Sequence, residues 1–565
     1  MQLMKFLKKS KKVFFLLLIF FLGVFIRFYN LDWGLPYPFH PDERNMTEAI
    51  TRLERNKLDP EFYAYGQFPL YLAYFTGTIF WSLIKGEAVE SLSFTQATLA
   101  LRFWSAFFSV MTLVVGYLIA KKLFEKEIYH FLSLILLVFT PGLIQIAHFG
   151  TTESILAFCF LAVVFFSLKI LEKPSFRNFL GAAGLFGIAL GTKISAATFF
   201  APFVLASFFQ ILKQKKWAKR IGYFFYLAIF CGLVLVITFL TSPYLFLKYP
   251  QSRGTLLYEI SVAKGKPVLF YTRQFINTLP VLFQLEKVFP YALGWPIFVL
   301  GTLGIIFSGF LIFQPNKNKK INLNLKMQLL ILNFGFLTYF TSQAFLFCKW
   351  TRFMAPIFAF FPIFATLLFD KLIFPFKFGG KIVFFLVLLS VIPGIFFNSI
   401  YFNPDIRFLA SEWIYQNIPS GSEILFDTGN VVDIPIVPPK KDYLANLPIY
   451  RLVSFDFYHL DENPHLFTQL LKNLEEADYI IVPSRRIFAN HLRIAEKYPK
   501  TATYYELLFS GKLGFVQIAK IEPFYSKIFK DEKAEETFTV FDHPTIRIYK
   551  NINRLTASHY ENLFR

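Results

Sequence analysis

From Val13 to Ile400 one pattern repeats: a run of roughly 17 to 22 apolar residues, then a short polar loop, and such a run can cross a hydrocarbon core about 30 Å thick. The runs predict eleven spans: Val13–Tyr29, Leu101–Ala120, Tyr129–Ala147, Ser154–Leu171, Phe179–Leu190, Ile194–Leu212, Ile221–Thr241, Tyr291–Phe313, Met327–Phe347, Phe353–Phe369 and Ile382–Ile400. Phe179 to Leu212 is one apolar stretch broken at Gly191-Thr192-Lys193, which reads as two short helices joined by a turn. After Tyr401 the apolar runs shorten and charges of both signs intersperse. There Ile406–Asn417, Leu466–Glu475 and Ala489–Tyr498 read as helices, and Ser422–Asp427, Tyr479–Pro483 and Thr545–Tyr549 as strands. The expected fold class is a polytopic α-helical membrane protein of about eleven transmembrane helices, residues 1–400, with a C-terminal soluble α/β domain, residues 401–565.

One further run, Phe68–Ile84, is apolar enough to compete as a span. If it crossed, every later loop would change sides. Lys and Arg decide against it. Without that span the inside loops hold five (Met1–Lys12), three (Lys121–Ile128), three (Lys169–Arg177), five (Lys213–Arg220), four (Gln314–Lys326) and three (Asp370–Lys381) of them. Phe68–Ile84 is therefore expected at the outer interface as an amphipathic or re-entrant helix, with Tyr65, Tyr71, Tyr74 and Trp81 as its belt. The N-terminus is then cytoplasmic in a cell-membrane protein. The outer loop 30–100, the loop Ser242–Pro290 and the domain 401–565 are extracytoplasmic. No small-x-small cleavage site follows the first run, so it reads as a retained helix rather than a signal peptide.

Composition agrees with the pattern: 55% hydrophobic residues and 77 Phe among 565 are not values of a water-soluble chain. The net charge of +21 would suit nucleic acid, but much of it sits in the loops between spans, so no nucleic-acid partner is expected. Cys159, Cys231 and Cys348 show neither disulfide nor metal-ligand spacing, and no metal or cofactor is expected. No glycine-rich phosphate loop, HExxH or GxSxG motif occurs.

The candidate chemistry lies at the outer ends of the spans. Asp42 and Glu43 stand in His40-Pro41-Asp42-Glu43-Arg44, at the start of a segment with helical spacing to Arg55. Acids in a first turn complement the helix dipole, which accounts for them structurally; adjacent acids also point in different directions and suit a general base. Glu153 follows His148 in a very short turn between two spans, as a functional acid or a solvated helix start. Lys193, Lys349 and Arg352 sit in short outer turns against the charge bias, either snorkelling to head groups or contacting an anion. Outward carboxylates with outward cations suit a reaction in which a lipid-borne phosphate leaves. A transporter or lipid flippase shares the many spans, but would show internal repeats and midplane charges, and neither is seen. A non-catalytic receptor is opposed only by the acidic pair.

These residues resemble those of the protein-mannosyltransferase and aminoarabinose-transferase group, integral-membrane glycosyltransferases of the GT-C fold (family 39, ArnT-like). His40-Pro41-Asp42-Glu43 is similar to the family's acidic pair in its first outer loop, and Phe68-Pro69-Leu70-Tyr71 to its interfacial helix. The segment His148–Glu153 is similar to its second acidic position, and Lys349–Pro356 to its Arg-Tyr-x-x-Pro segment. The resemblance implies a polyprenyl-phosphate-linked sugar donor and a lipid, glycan or protein acceptor. It implies Asp42 as base with Glu43 its partner, and Glu153 as the second acid. His40, Arg44, His148, Lys193, Lys349 and Arg352 become candidate substrate contacts, with Lys193, Lys349 and Arg352 the candidates for phosphate. Gln67 and Phe68 stand where the aminoarabinose branch has a Lys, so that sugar is not implied.

Overall fold

The computed structural model describes residues 2–315, 323–427, 432–439 and 447–565. The basic loop Gln314–Lys326 lies mostly outside them. The chain forms two compact units. The first comprises Met1–Leu31, Asp42–Lys266 and Leu279–Asn398; the second comprises Asp32–Pro41, Pro267–Thr278 and Ser399–Arg565.

The first unit is helical. Its elements are α1 (Gln2–Phe28), α2 (Pro41–Thr51), α3 (Phe68–Lys85), α4 (Phe94–Leu123), α5 (Glu127–Val138), α6 (Pro141–His148), α7 (Glu153–Glu172), α8 (Phe176–Leu190), α9 (Phe200–Lys213) and α10 (Trp217–Thr241). They continue with α11 (Tyr244–Leu247), α12 (Tyr249–Ala263), α13 (Phe289–Ala292), α14 (Trp295–Phe313), α15 (Leu323–Ala344), α16 (Thr351–Met354), α17 (Phe360–Leu368) and α18 (Gly379–Phe397). Among the described residues six helices are long and apolar enough to cross a membrane, or eight if two bent pairs each count as one span. Eleven spans were expected, and each of those runs is largely helical here. Of the runs not counted, α8 is short, its 15 residues reaching only about 22 Å, whereas α1 and α15, of 27 and 22 residues, are long enough but carry more polar or charged residues. The helix α3 is not among the six; it has Pro69 in its first turn and stops at Gly86, whose φ of 72° ends the helical turn.

One of the bends has a visible cause. Helices α5 and α6 meet at 54° around Pro141, which has no N–H for the Leu137 carbonyl. Arg27, fully buried near the end of α1, supplies donors instead. Its guanidinium donates to Leu137 O at 3.2 Å, to Val138 O at 3.3 Å and to Ser109 Oγ of α4 at 2.9 Å.

The second unit is built on a five-stranded sheet of order β2-β1-β3-β5-β4. After α19 (Ser399–Phe402) and α20 (Ile406–Asn417) come β1 (Glu423–Asp427), β2 (Arg451–Phe455), α21 (Pro464–Glu476), β3 (Tyr479–Val482), α22 (Phe488–Arg493), α23 (Pro499–Phe509), β4 (Phe515–Ile521) and β5 (Ile546–Asn551). The first three strands in space run parallel, and β5 runs antiparallel to β3 and β4. Side chains alternate across the sheet. Ile424, Phe426 and Ile481 meet Ile406, Ala410 and Ile414 of α20, whereas Leu425, Ile480 and Val482 meet Leu470 and Leu474 of α21 and Tyr504 of α23. The sequence reading missed β2 and β4, both at sheet edges. It also carried the helix Ala489–Tyr498 too far: α22 ends at Arg493, and Pro499 starts the separate helix α23.

Candidate active site

Helix α2 begins on Pro41, so Asp42 and Glu43 occupy its first turn, where the helix dipole favours negative charge. Adjacent helical positions diverge by about 100°, and the two acids meet different partners. Glu43 turns inward and is buried. Its carboxylate accepts from Arg102 of α4 through Nε and Nη2, both at 2.7 Å, and from the Gly150 N–H at 2.6 Å. Arg102, wholly buried, also donates to Leu31 O at 2.9 Å. Gly150 has to be glycine for this approach, because a Cβ there would lie 2.7 Å from Leu101 Cβ. Three chain segments are thereby fastened to one carboxylate.

Asp42 instead forms an ion pair with Arg352, at the start of α16. The Arg352 guanidinium lies 4.7 Å from the Trp350 ring centre. Glu153, the first residue of α7, is buried and lies 3.4 Å from the Lys193 ammonium. Lys193 follows the end of α8 and sits 4.6 Å over the Tyr65 ring and 5.7 Å from the Phe353 ring. The backbone fixes this arrangement. Gly66 N–H donates to Thr192 O at 2.9 Å, Phe68 N–H to Gly191 O at 3.2 Å, and Ser242 Oγ–H to Gly191 O at 2.6 Å. A Cβ on Gly66 would be 2.0 Å from Gly191 O, so only glycine brings Tyr65 this close to the Lys193 turn.

Glu153, Lys193 and Arg352 line one cavity of about 220 Å³, together with Tyr65, Glu259 and Lys264. Glu259, on α12, was not anticipated. Burial pushes its carboxyl above the ordinary carboxylate range, with Lys193 pulling the other way. The cavity therefore gathers three cations and two acids, residue types that suit anion contact and proton transfer. Among the described residues no cluster of three His, Cys, Asp or Glu side chains is arranged to hold a metal ion.

The other expected contacts lie elsewhere. His148 is fully buried, with Nδ1 2.9 Å from Ile144 O and Nε2 3.2 Å from Tyr29 O, which makes it a tie between α6 and the end of α1. Arg44 is exposed and pairs with Glu48 one turn along at 2.8 Å. Lys349 is buried with its ammonium on Phe347 O at 3.0 Å, and burial pulls it below the usual lysine range. His40 belongs to the second unit, where its ring packs 4.6 Å from that of Phe541. The sequence reading missed Arg102 as a functional group, although a lone Arg inside an apolar helix was the available signal.

Residues 91–241, which carry Arg102, His148, Glu153 and Lys193, match the family described as dolichyl-phosphate-mannose-protein mannosyltransferase. The resemblance read from the motifs and this match coincide over that segment. Two crystal structures of ArnT from Cupriavidus metallidurans are among the solved structures that match the chain. The apo form shows 14% identity over 86% of this chain and 95% of that chain, with a TM-score of 0.42. The form bound to undecaprenyl phosphate shows 11% identity over 96% and 98%, with a TM-score of 0.40. No curated protein matches the chain. The protein is a multi-pass helical membrane protein with a small C-terminal sheet domain.

Proposed function

We propose that this protein is a membrane glycosyltransferase that moves a sugar from a polyprenyl-phosphate donor to an acceptor hydroxyl on the outer face of the membrane, with inversion. The observation that carries the reading is the Asp42–Arg352 ion pair, in which Arg352 also lines the cavity of Glu153 and Lys193. The family match over residues 91–241 supports the reaction class. In this reading the N-terminus is cytoplasmic and the cavity opens outward.

Arg352 and Lys193 hold the donor phosphate. A carboxylate bonded to a guanidinium is a weak base. When a phosphate engages Arg352, Asp42 is released from part of its ion pair and is free to turn to the acceptor hydroxyl while a donor is present. Asp42 takes the acceptor hydroxyl proton, the oxygen attacks the anomeric carbon, and the carbon–oxygen bond to phosphate breaks with its electron pair on the departing polyprenyl phosphate. The cations stabilise that developing charge. Glu43 acts through Arg102 and Gly150 as a positioning residue that sets where Asp42 stands. His148 is structural in this account.

The test is release of polyprenyl phosphate from a panel of polyprenyl-phosphate sugars, with a membrane extract as acceptor source. Wild type is expected to release it, and Asp42→Asn to release at least about a hundredfold less, the usual scale for losing a general base. Full activity in Asp42→Asn would overturn the assignment of the base. No release from any donor, by folded protein, would overturn the enzyme class in favour of transport.

A further inference from the structure

Helix α23 ends at Phe509, and the chain turns through Gly511 and Gly514, with φ of 75° and 80°, into the edge strand β4. This return leaves a cleft of about 550 Å³ between the end of α23 and the β4–β5 pair. That volume is in the range of small-molecule pockets, roughly 300 to 1,000 Å³. The walls are aromatic. Phe509 is 38% exposed at the mouth, with the Phe488 ring edge-on at 5.0 Å and the Tyr549 ring at 6.3 Å behind it. Two polar groups accompany them: the Gln517 amide, which accepts from Tyr549 Oη at 3.3 Å, and the Ser510 hydroxyl. Directly after Gln517 the strand is bulged, since Gln517 pairs with Tyr549 but Ala519 with Ile548. Bulges re-aim side chains and recur beside binding sites.

The charge of the cleft narrows the ligand. Its one cation, Arg547, donates through Nη2 to both Glu532 oxygens at 2.7 Å. Its guanidinium lies 5.2 Å from the Phe488 ring. Glu532 balances the charge, so an anion gains little there, while Arg547 Nη1, buried and without a hydrogen-bond partner among the described residues, can donate to a neutral oxygen. What remains is an open aromatic face with a rim of neutral hydrogen-bonding groups. A pyranose is complementary to that surface: its C–H face is apolar and its edge is a ring of hydroxyls.

We propose that this cleft binds a neutral pyranose saccharide, with the sugar ring laid on Phe509 and its hydroxyls on Gln517 and Ser510. The proposal rests on the second unit alone and holds whether or not the transfer reaction is as described above.

The experiment is saturation-transfer NMR and calorimetry on the full-length protein in lipid nanodiscs, free of glycoside detergents that would compete. The probes are neutral trisaccharides of mannose, glucose, galactose and N-acetylglucosamine, with a trigalacturonate as the charged control. Saturable binding of at least one neutral probe is expected. Phe509 and Gln517 are exposed, so Phe509→Ala and Gln517→Ala are expected to fold, as checked by circular dichroism, and each to weaken binding about tenfold. Phe509→Trp is expected to keep it, and Asp42→Asn to leave it unchanged. Absence of saturable binding would overturn the proposal. So would binding that both cleft variants leave intact, which would assign the sugar to another site, and so would tighter binding of the uronate.

Discussion

The pair Glu43–Arg102 offers the sharpest separation of a positioning role from a chemical one. Their side chains are 3% and 0% exposed. In Glu43→Gln an amide N–H₂ faces a guanidinium N–H, and the Arg102 charge is left buried without its counter-charge. Removing one partner of such a pair costs about 3 to 5 kcal/mol. Arg102→Met strands the Glu43 carboxylate and is expected to cost a similar amount. If the sites were independent, the double variant Glu43→Met/Arg102→Met would lose about 6 to 10 kcal/mol, twice the single cost. The structure predicts otherwise. With both charges gone, the remaining losses are the Gly150 N–H and Leu31 carbonyl left unsatisfied, about 1 to 3 kcal/mol each. The double variant should therefore lose about 2 to 6 kcal/mol, close to either single variant and short of the additive sum. The assay is unfolding by SDS from lipid bicelles, with sugar-transfer activity read in parallel. Asp42→Asn, whose side chain is partly open, should lose activity with little loss of stability. If Glu43→Gln unfolds like wild type, or if the double variant shows additive losses, the view of Glu43 as the fastening of α2 is wrong.

Arg352→Ala and Lys193→Met should each raise the KM for donor about 10- to 100-fold, the scale of one charge-assisted contact; steady-state kinetics with varied donor lipid checks this, and an unchanged KM would remove them from the phosphate site. Asp427, fully buried and bonded by Tyr505 Oη–H at 2.8 Å, is pushed up by burial to about 7. The folded second unit thus keeps a proton that the unfolded chain releases near pH 4, and stability should fall as pH rises from about 4 to 7, by up to about 4 kcal/mol. Asp427→Asn should remove that slope in denaturation at stepped pH. In the same unit His543 loses charge stability to burial, but Asp542 and Asp531 on its two ring nitrogens outweigh this and raise it to about 10. Its contribution should be complete below about pH 6.5 and lost as pH rises through about 10, a slope that His543→Phe would abolish.

The helices of the first unit were legible because their apolar runs are long and their breaks carry Gly, Pro or charge. Gly191-Thr192-Lys193 announced the end of α8 correctly. The edge strands were not legible: β2 is largely exposed and lacks the apolar run that marked β1 and β3. In the site, the adjacency of Asp42 and Glu43 already required divergent directions. Which acid faces Arg352 and which faces Arg102 depends on partners 59 to 310 positions away, and periodicity carries no such information. Glu259 was invisible for the same reason, because α12 has an ordinary mixed sequence and acquires meaning only beside Lys193.

The Arg27 clamp bears on how this protein is made. The residues that receive its guanidinium lie 82 and 110 positions further along the chain. At synthesis rates of about 5 to 20 residues per second, α1 waits roughly 5 to 20 seconds for them. During that interval its guanidinium has only the Gly23 carbonyl of its own helix, at 3.2 Å, and its remaining donors are expected to stay at the head groups. The first helix is therefore expected to settle fully only when α4, α5 and the Pro141 break arrive to take up those donors, so that it is threaded early and seated late.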